Sequence, residues 1–451
     1  MRKSFICGFA ASGFGRGVLF RKYGRGFETG EDLRKILLTA GLCALLLFAA
    51  AGCLHQEGPQ PNAPETTGAE TQPVLESQTA HTAAHELAED ECGEALTWTL
   101  SSGGTLTISG EGDMYDFQTA PWNPDRLNIY RIEVKSGVTS VGDNAFAFCE
   151  KAYSVQLPDT LERIGKGAFS GCAKLSSVRI PDGVQTVPER CFESCSALWS
   201  VTLPGSVLEI GDRAFNLCDH LSDAKLPDGL EKIGDEAFAF CERIYSCKIP
   251  ATMTHLGKNA FVRCSRLSRF TVSDDNPSFA ADNRGVLYSK KMTILLAFPY
   301  AYGDSYYTVA DSVREIGEGA FAYCDGLRSV TIPDTVETIG ARAFYNCNNL
   351  EKVTLPQELT VIAREMFANS ESLKNITLPE TLTEIRSGAF EGCKGLEEIT
   401  IPKNVAVIER DAFGNCAQLT VHVIGKSIAV DGWNVYWVDE NATVVWEEAE
   451  E

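Results

Sequence analysis

Residues 157–181 read LPDTLERIGKGAFSGCAKLSSVRIP, and the same skeleton returns along most of the chain. Its central Phe169 belongs to a series. Phenylalanines stand 23 residues apart at 146, 169, 192, 215, 238 and 261, and again at 321, 344, 367, 390 and 413. The step from 261 to 321 is 60, one period plus 37. Eleven copies at a fixed period mark a repeat architecture. The consensus is LPxxLxxIGxxAFxxCxxLxxVxIP. Val178-x-Ile180 alternates with period 2 and predicts a short strand buried on one face. Pro181 has no amide hydrogen to give a ladder, so it ends that strand. Ile164-Gly165-x-x-Ala168-Phe169-x-x-Cys172 has a spacing near 3.6 and predicts a short helical turn, with Gly165 supplying a backbone conformation closed to other residues.

A single unit cannot stand alone. About six large apolar side chains contribute roughly 2 kcal/mol each when buried. Ordering the backbone costs about 1–2 kcal/mol per residue. Stacked units bury one another and pair their strands, which predicts a quasi-one-dimensional solenoid. Short parallel strands then form the concave side, and short helical turns the convex side.

Ten cysteines share one column: Cys149, Cys172, Cys195, Cys218, Cys241, Cys264, Cys324, Cys347, Cys393 and Cys416, with Ser370 in the remaining rung. Neighbouring strands lie about 4.7–4.9 Å apart, further than the roughly 3.5–4.5 Å between the Cβ atoms of a disulfide. Buried free thiols acting as small hydrophobes follow. A metal column has neither histidine partners nor paired CxxC spacing to support it. Cys191 and Cys247 stand at core positions, and the redox state of Cys92 is open.

The repeat pattern resembles the BspA-like (treponemal-type) leucine-rich repeats of bacterial surface proteins, over about residues 92–445. Cys92 to Leu100 and Gly104 to Gly110 resemble that family's N-terminal cap, a strand pair with a Ser-Gly-Gly turn. Asn276-Pro277, Gly285 to Tyr288 and Phe298-Pro299 resemble its insertion, and Trp433 to Trp446 a closing cap. The resemblance implies a cell-surface binding or adhesion protein that recognises a host or neighbouring-cell protein. The organisation expected is an N-terminal extension (1–35), a targeting segment (36–53), a tether (54–91), a β cap (92–131), repeats 1–6 (132–272), an insertion (273–309), repeats 7–11 (310–423) and a C-terminal cap with an acidic tail (424–451).

The targeting segment is an apolar run from Ile36 to Ala51 behind Arg34-Lys35, which reads as a signal peptide. Ala50-Ala51-Gly52-Cys53 resembles the lipobox of bacterial lipoproteins, with Ala50 where Leu is usual. Lipidation of Cys53 would anchor the protein to the membrane, and ordinary cleavage after Ala51 would release it as a secreted protein. The run is short for a membrane-spanning helix. Residues 54–91 are rich in Pro, Thr, Glu, Gln and Ala and predict a flexible tether, in which His81 and His85 are solvated. The formal net charge is −21, and residues 1–52 contribute +5 to it. Such acidity argues against nucleic acid as a partner.

The side chains flanking each core Val or Ile face outward. In the second half they repeat Thr331, Thr354, Thr377 and Thr400, as an exposed strand face favours. The first half differs. Arg179, Lys225, Lys248 and Arg269 predict a cationic strip, and Tyr153, Trp199 and Tyr245 recur every 46 residues beside it. Aromatics next to Arg and Lys are the raw material of contact hot spots. These seven residues are the candidate partner-binding surface, against the alternative that the rings pack on adjacent loops. A carbohydrate-binding module, with the three rings as a stacking platform, and a structural envelope spacer are the alternative functions. Six histidines and no nucleophile–base, metal or phosphate-loop motif give no case for an enzyme, and no cofactor is implied.

Overall fold

In the computed structural model, residues 86–222, 225–416, 418–426 and 432–448 are described. The extension, the targeting segment with Cys53, and the tether as far as residue 85 lie outside them. Each turn of the chain is one coil, and the coils stack in parallel register. Val178 faces Val201 where Ser177–Arg179 pairs with Ser200–Thr202, and Cys247 faces Phe270 where Ser246–Ile249 pairs with Arg269–Val272. A second ladder runs through the Ile-Gly positions, pairing Thr186–Val187, Glu209–Ile210, Lys232–Ile233 and His255–Leu256 in turn. The core is the same ring of side chains repeated. The phenylalanines form two stacks, Phe146 to Phe261 and Phe321 to Phe413, parted at the insertion, with centroids 5.3 Å apart and planes 4° from parallel at Phe169–Phe192. In the second half the values are 5.1 Å and 4° at Phe390–Phe413. Trp122 stacks on Phe146 at one end, and Trp437 meets Phe413 edge-on at the other.

The expected helical turn is a succession of reverse turns instead. Among the described residues the sole helix is the 3-10 segment Asn123–Asn128. Each of the eleven repeats carries two left-handed residues four apart, such as Gly167 and Gly171, Arg190 and Ser194, or Arg213 and Leu217. A residue with positive φ breaks an α-helix. Its amide is turned outward to the next coil, as Arg190 N–H donates to the Asp212 carbonyl at 2.9 Å and Ser194 N–H to that of Asn216 at 2.8 Å. The left-handed state costs a non-glycine residue about 1–2 kcal/mol, and the stack is what holds it there. Gly165 is a glycine for another reason than expected. A Cβ there would lie 2.3 Å from the Asp143 amide nitrogen, so the constraint is close approach between coils.

The cysteine column is buried and its thiols are free. Most do more than fill space. Cys195 Sγ donates to the Phe169 carbonyl at 3.2 Å, and Cys218 Sγ to that of Phe192 at 3.2 Å. Ser370 reproduces the bond, its hydroxyl donating to Phe344 at 2.7 Å, which explains the exception in the column. Burial pushes these thiols up, Cys149 to about 12.

Two boundaries move. The first strand, Glu86–Gly93, begins inside the stretch expected to be tether, because it pairs antiparallel with Leu96–Ser101 of the cap. The insertion also holds a rung that the 60-residue step conceals. Phe298 donates its amide to Ala320 at 2.8 Å and its ring sits 4.9 Å from Phe321, while Tyr307 pairs with Val330 in the strand ladder.

Candidate functional site

Tyr153, Trp199 and Tyr245 occupy one column, since Trp199 N–H donates to Ser176, and Ser222 and Ser268 donate to Trp199 and Tyr245. All three residues are exposed, at 42%, 56% and 66%. They therefore do not pack away on neighbouring loops. Sequence reading missed Tyr130, one rung earlier, whose carbonyl accepts from Tyr153 N–H and which is 38% exposed. The Arg131 guanidinium lies 5.3 Å from the centre of the Tyr153 ring.

The expected cationic strip is not a uniform row. Arg179 is engaged by Asp159 at 2.9 Å and Asp182 at 3.6 Å. Its hydrogen bond to Asp159 and the nearby carboxylates raise its pKa further. The turns before and after the strand supply these acids, which the strand pattern alone did not reveal. Lys225, Lys248 and Arg269 are exposed.

Tyr245 and Arg269 come together with residues that sequence reading did not select. The strand ladder ends on one side of the insertion at Arg269–Val272 and resumes on the other at Tyr306–Thr308. At this seam lies a cleft of about 530 Å³, lined from the first side by Tyr245, Ser246, Ser268 and Arg269. The insertion adds Asn283, Arg284, Ala301, Tyr302 and Asp304. The insertion motifs build it. Asn276 is fully buried and satisfied, donating to Pro250 and Met253 and accepting from the amides of Ser278 and Phe279. Gly285 has φ +85°, and a Cβ would lie 2.7 Å from the Arg269 Cα, so the loop rests directly on that strand. The Gly285 carbonyl accepts from Phe270 N–H, and Ala301 N–H donates to Leu267, both at 2.9 Å. Underneath, Tyr288 and Tyr307 share a buried 2.7 Å hydroxyl–hydroxyl bond. Burial lifts the Tyr288 phenol to about 12.

Arg284 donates to the Tyr302 hydroxyl at 2.6 Å and lies 3.3 Å from Asp304. Arg269 has no such partner among the described residues. No group of three His, Cys, Asp or Glu among the described residues is arranged to hold a metal. His422, between Glu398 at 3.0 Å and Glu447 at 2.7 Å, ties strands of the closing cap together.

Two ladders of parallel strands around a repeated apolar ring define a leucine-rich-repeat solenoid. The chain matches the model of the BspA type leucine rich repeat region over residues 125–228, 188–281 and 297–420, and it belongs to that family. A leucine rich cell surface protein from Faecalibacterium prausnitzii is 28% identical, with a TM-score of 0.56 over 76% of this chain and 95% of that one. A leucine-rich repeat protein from Eubacterium ventriosum is 25% identical, covering 72% of this chain and 93% of that one, with a TM-score of 0.49. The pneumococcal vaccine antigen PcpA is 18% identical, with 80% and 85% covered and a TM-score of 0.45. Among curated proteins none matches.

Proposed function

We propose that this chain is a surface-exposed adhesion protein that recognises a protein of a host or neighbouring cell through the strand face of its first coils. Membership of the BspA-type family and the similarity to the Faecalibacterium cell surface protein support the location. The observation that carries the binding reading is the column Tyr130, Tyr153, Trp199 and Tyr245, whose rings stand exposed on a repeat face otherwise filled by serine. Aromatic side chains held on a rigid ladder contribute contact area at little entropic cost. Lys225, Lys248 and Arg269 flank them and favour an acidic partner surface. Cys53 is the proposed lipid anchor. Cells expressing the full chain with Cys53→Ser should lose incorporation of a fatty-acid label and release the protein.

The test of the binding surface is a triple variant, Tyr153→Ala, Trp199→Ala and Tyr245→Ala, offered to a panel of immobilised extracellular-matrix proteins beside the parent chain. At least tenfold weaker capture with an unchanged unfolding transition is expected. Equal capture by the folded triple variant would remove these residues from the contact surface.

A further inference from the structure

The cleft at the seam differs in kind from the open aromatic column. Its volume, about 530 Å³, falls in the range of small-molecule sites, and it lies where two runs of coils meet. Its lining is mostly polar. Ser246, Ser268, Asn283 and Asp304 offer donors and acceptors, while the rings of Tyr245 and Tyr302 offer flat apolar faces. A pyranose ring carries hydroxyls around its rim and C–H groups on its faces, and this mixture suits it. An apolar side-chain anchor would find little to bury against.

The charge narrows the ligand class. Two guanidiniums and one carboxylate line the cleft of a chain whose net charge is −21. Arg284 is already tied to Tyr302 and Asp304. Arg269 is left as the guanidinium with its donors available, and its planar fork matches a carboxylate. An extended peptide is less well served, because Gly285 already occupies Phe270 N–H on the strand edge it would have to join. The main chain of the walls is fixed by contacts at Gly285 and Ala301, so the insertion is held against the strand that carries Arg269.

We propose that this cleft binds a carboxylate-bearing sugar, with the carboxylate on Arg269 and the ring against Tyr245. The proposal goes beyond the protein-contact reading of the column, and shares only Tyr245 and Arg269 with it. Sialic acid and uronic acid residues present the same chemistry from different sources, and the experiment separates them. Calorimetric titration of the purified full chain would use 3′-sialyllactose and trigalacturonate. Lactose and methyl-esterified trigalacturonate serve as neutral counterparts, and a triglutamate peptide as an acid without a sugar.

One acidic oligosaccharide should bind at least tenfold more tightly than its neutral counterpart and the peptide. Arg269→Gln should remove that preference, and Arg269→Lys should restore part of it. Tyr245→Ala should weaken the binding, and Tyr153→Ala with Trp199→Ala should leave it unchanged. Equal binding of triglutamate would make this a plain anion site and overturn the sugar assignment. So would retained preference in Arg269→Gln, or no binding of either acidic sugar at millimolar concentration. If capture of a matrix protein still depends on Trp199 in that case, only the cleft proposal fails.

Discussion

The coils before the seam and those after it share one interior and differ in what they show to solvent. Phe215 and Phe238 stack at 5.2 Å, and Phe344 and Phe367 at 5.4 Å. The column that holds Tyr153, Trp199 and Tyr245 in the first run holds Arg328 and Glu351 in the second, paired with each other at 2.8 Å. Beside them, Thr331, Thr354, Thr377 and Thr400 are exposed where the first run has Arg179, Lys225 and Lys248. The stack constrains only inward positions and the turn geometry, so outward columns are free to carry recognition. The run with self-paired charges and threonines has the character of a solvated face. The run with exposed rings is the one a partner can use.

Alkaline pH should separate the two runs most strongly. The first holds eight core thiols, Cys149, Cys172, Cys191, Cys195, Cys218, Cys241, Cys247 and Cys264, and the second holds Cys324, Cys347, Cys393 and Cys416. Burial keeps them protonated in the folded chain, raising Cys149, Cys247 and Cys347 to about 12. Unfolded thiols ionise near pH ~8.5. The stability is therefore complete below that value, and drains away as pH rises toward the folded values. Urea unfolding under reducing conditions should weaken steeply above pH ~9, with thiol alkylation reaching the first run before the second. A pH-independent midpoint would mean that the thiols are not buried as described.

Next in size is the ring ladder. Phe215→Ala and Phe367→Ala should each cost about 3–5 kcal/mol, alike in both runs, because each leaves a cavity between two stacked neighbours. Phe298→Ala belongs with them if Phe298 is a true rung. A negligible cost there, read from denaturant midpoints, would return the segment to the status of a plain loop.

A smaller effect lies in the thiol-to-carbonyl bonds. Cys218→Ala removes one of the two donors on the buried Phe192 carbonyl, which keeps the Cys195 N–H, and should cost about 0.5–1.5 kcal/mol. Cys218→Ser should cost less, as Ser370 already demonstrates the geometry. The reverse order would reduce the column to packing alone. The smallest effect on stability is expected on the face. Tyr153→Ser with Trp199→Ser should shift unfolding by no more than about 0.5 kcal/mol per site while removing the recognition surface. A large loss of stability would show the rings to be structural.

Much of this molecule was legible in its letters. The period of Phe169, the strand at Val178-x-Ile180 and the cysteine column follow from side chains that must be buried, and burial leaves a periodic mark; the caps came from the family resemblance instead. The turns were misread, because Ile164, Ala168, Phe169 and Cys172 have helical spacing although Gly167 and Gly171 are left-handed. Nothing in Arg190 or Leu217 announces positive φ. That state is imposed by amide bonds to the next coil, which exist only in the stack. Arg179 was read as a free cation, for the acids that neutralise it belong to the flanking turns rather than to the strand pattern.

The sequence by itself therefore determined the repeat and its interior, because a recurring environment selects a recurring residue, and it placed three rings in one column whose exposure the structure decided. Only the tertiary structure decided that Tyr245 and Arg269 share a cleft with Arg284, Tyr302 and Asp304. Arg284, Tyr302 and Asp304 belong to the insertion and occur once, outside any period. They meet because Gly285 lets the insertion lie against the Arg269 backbone where the strand ladder parts.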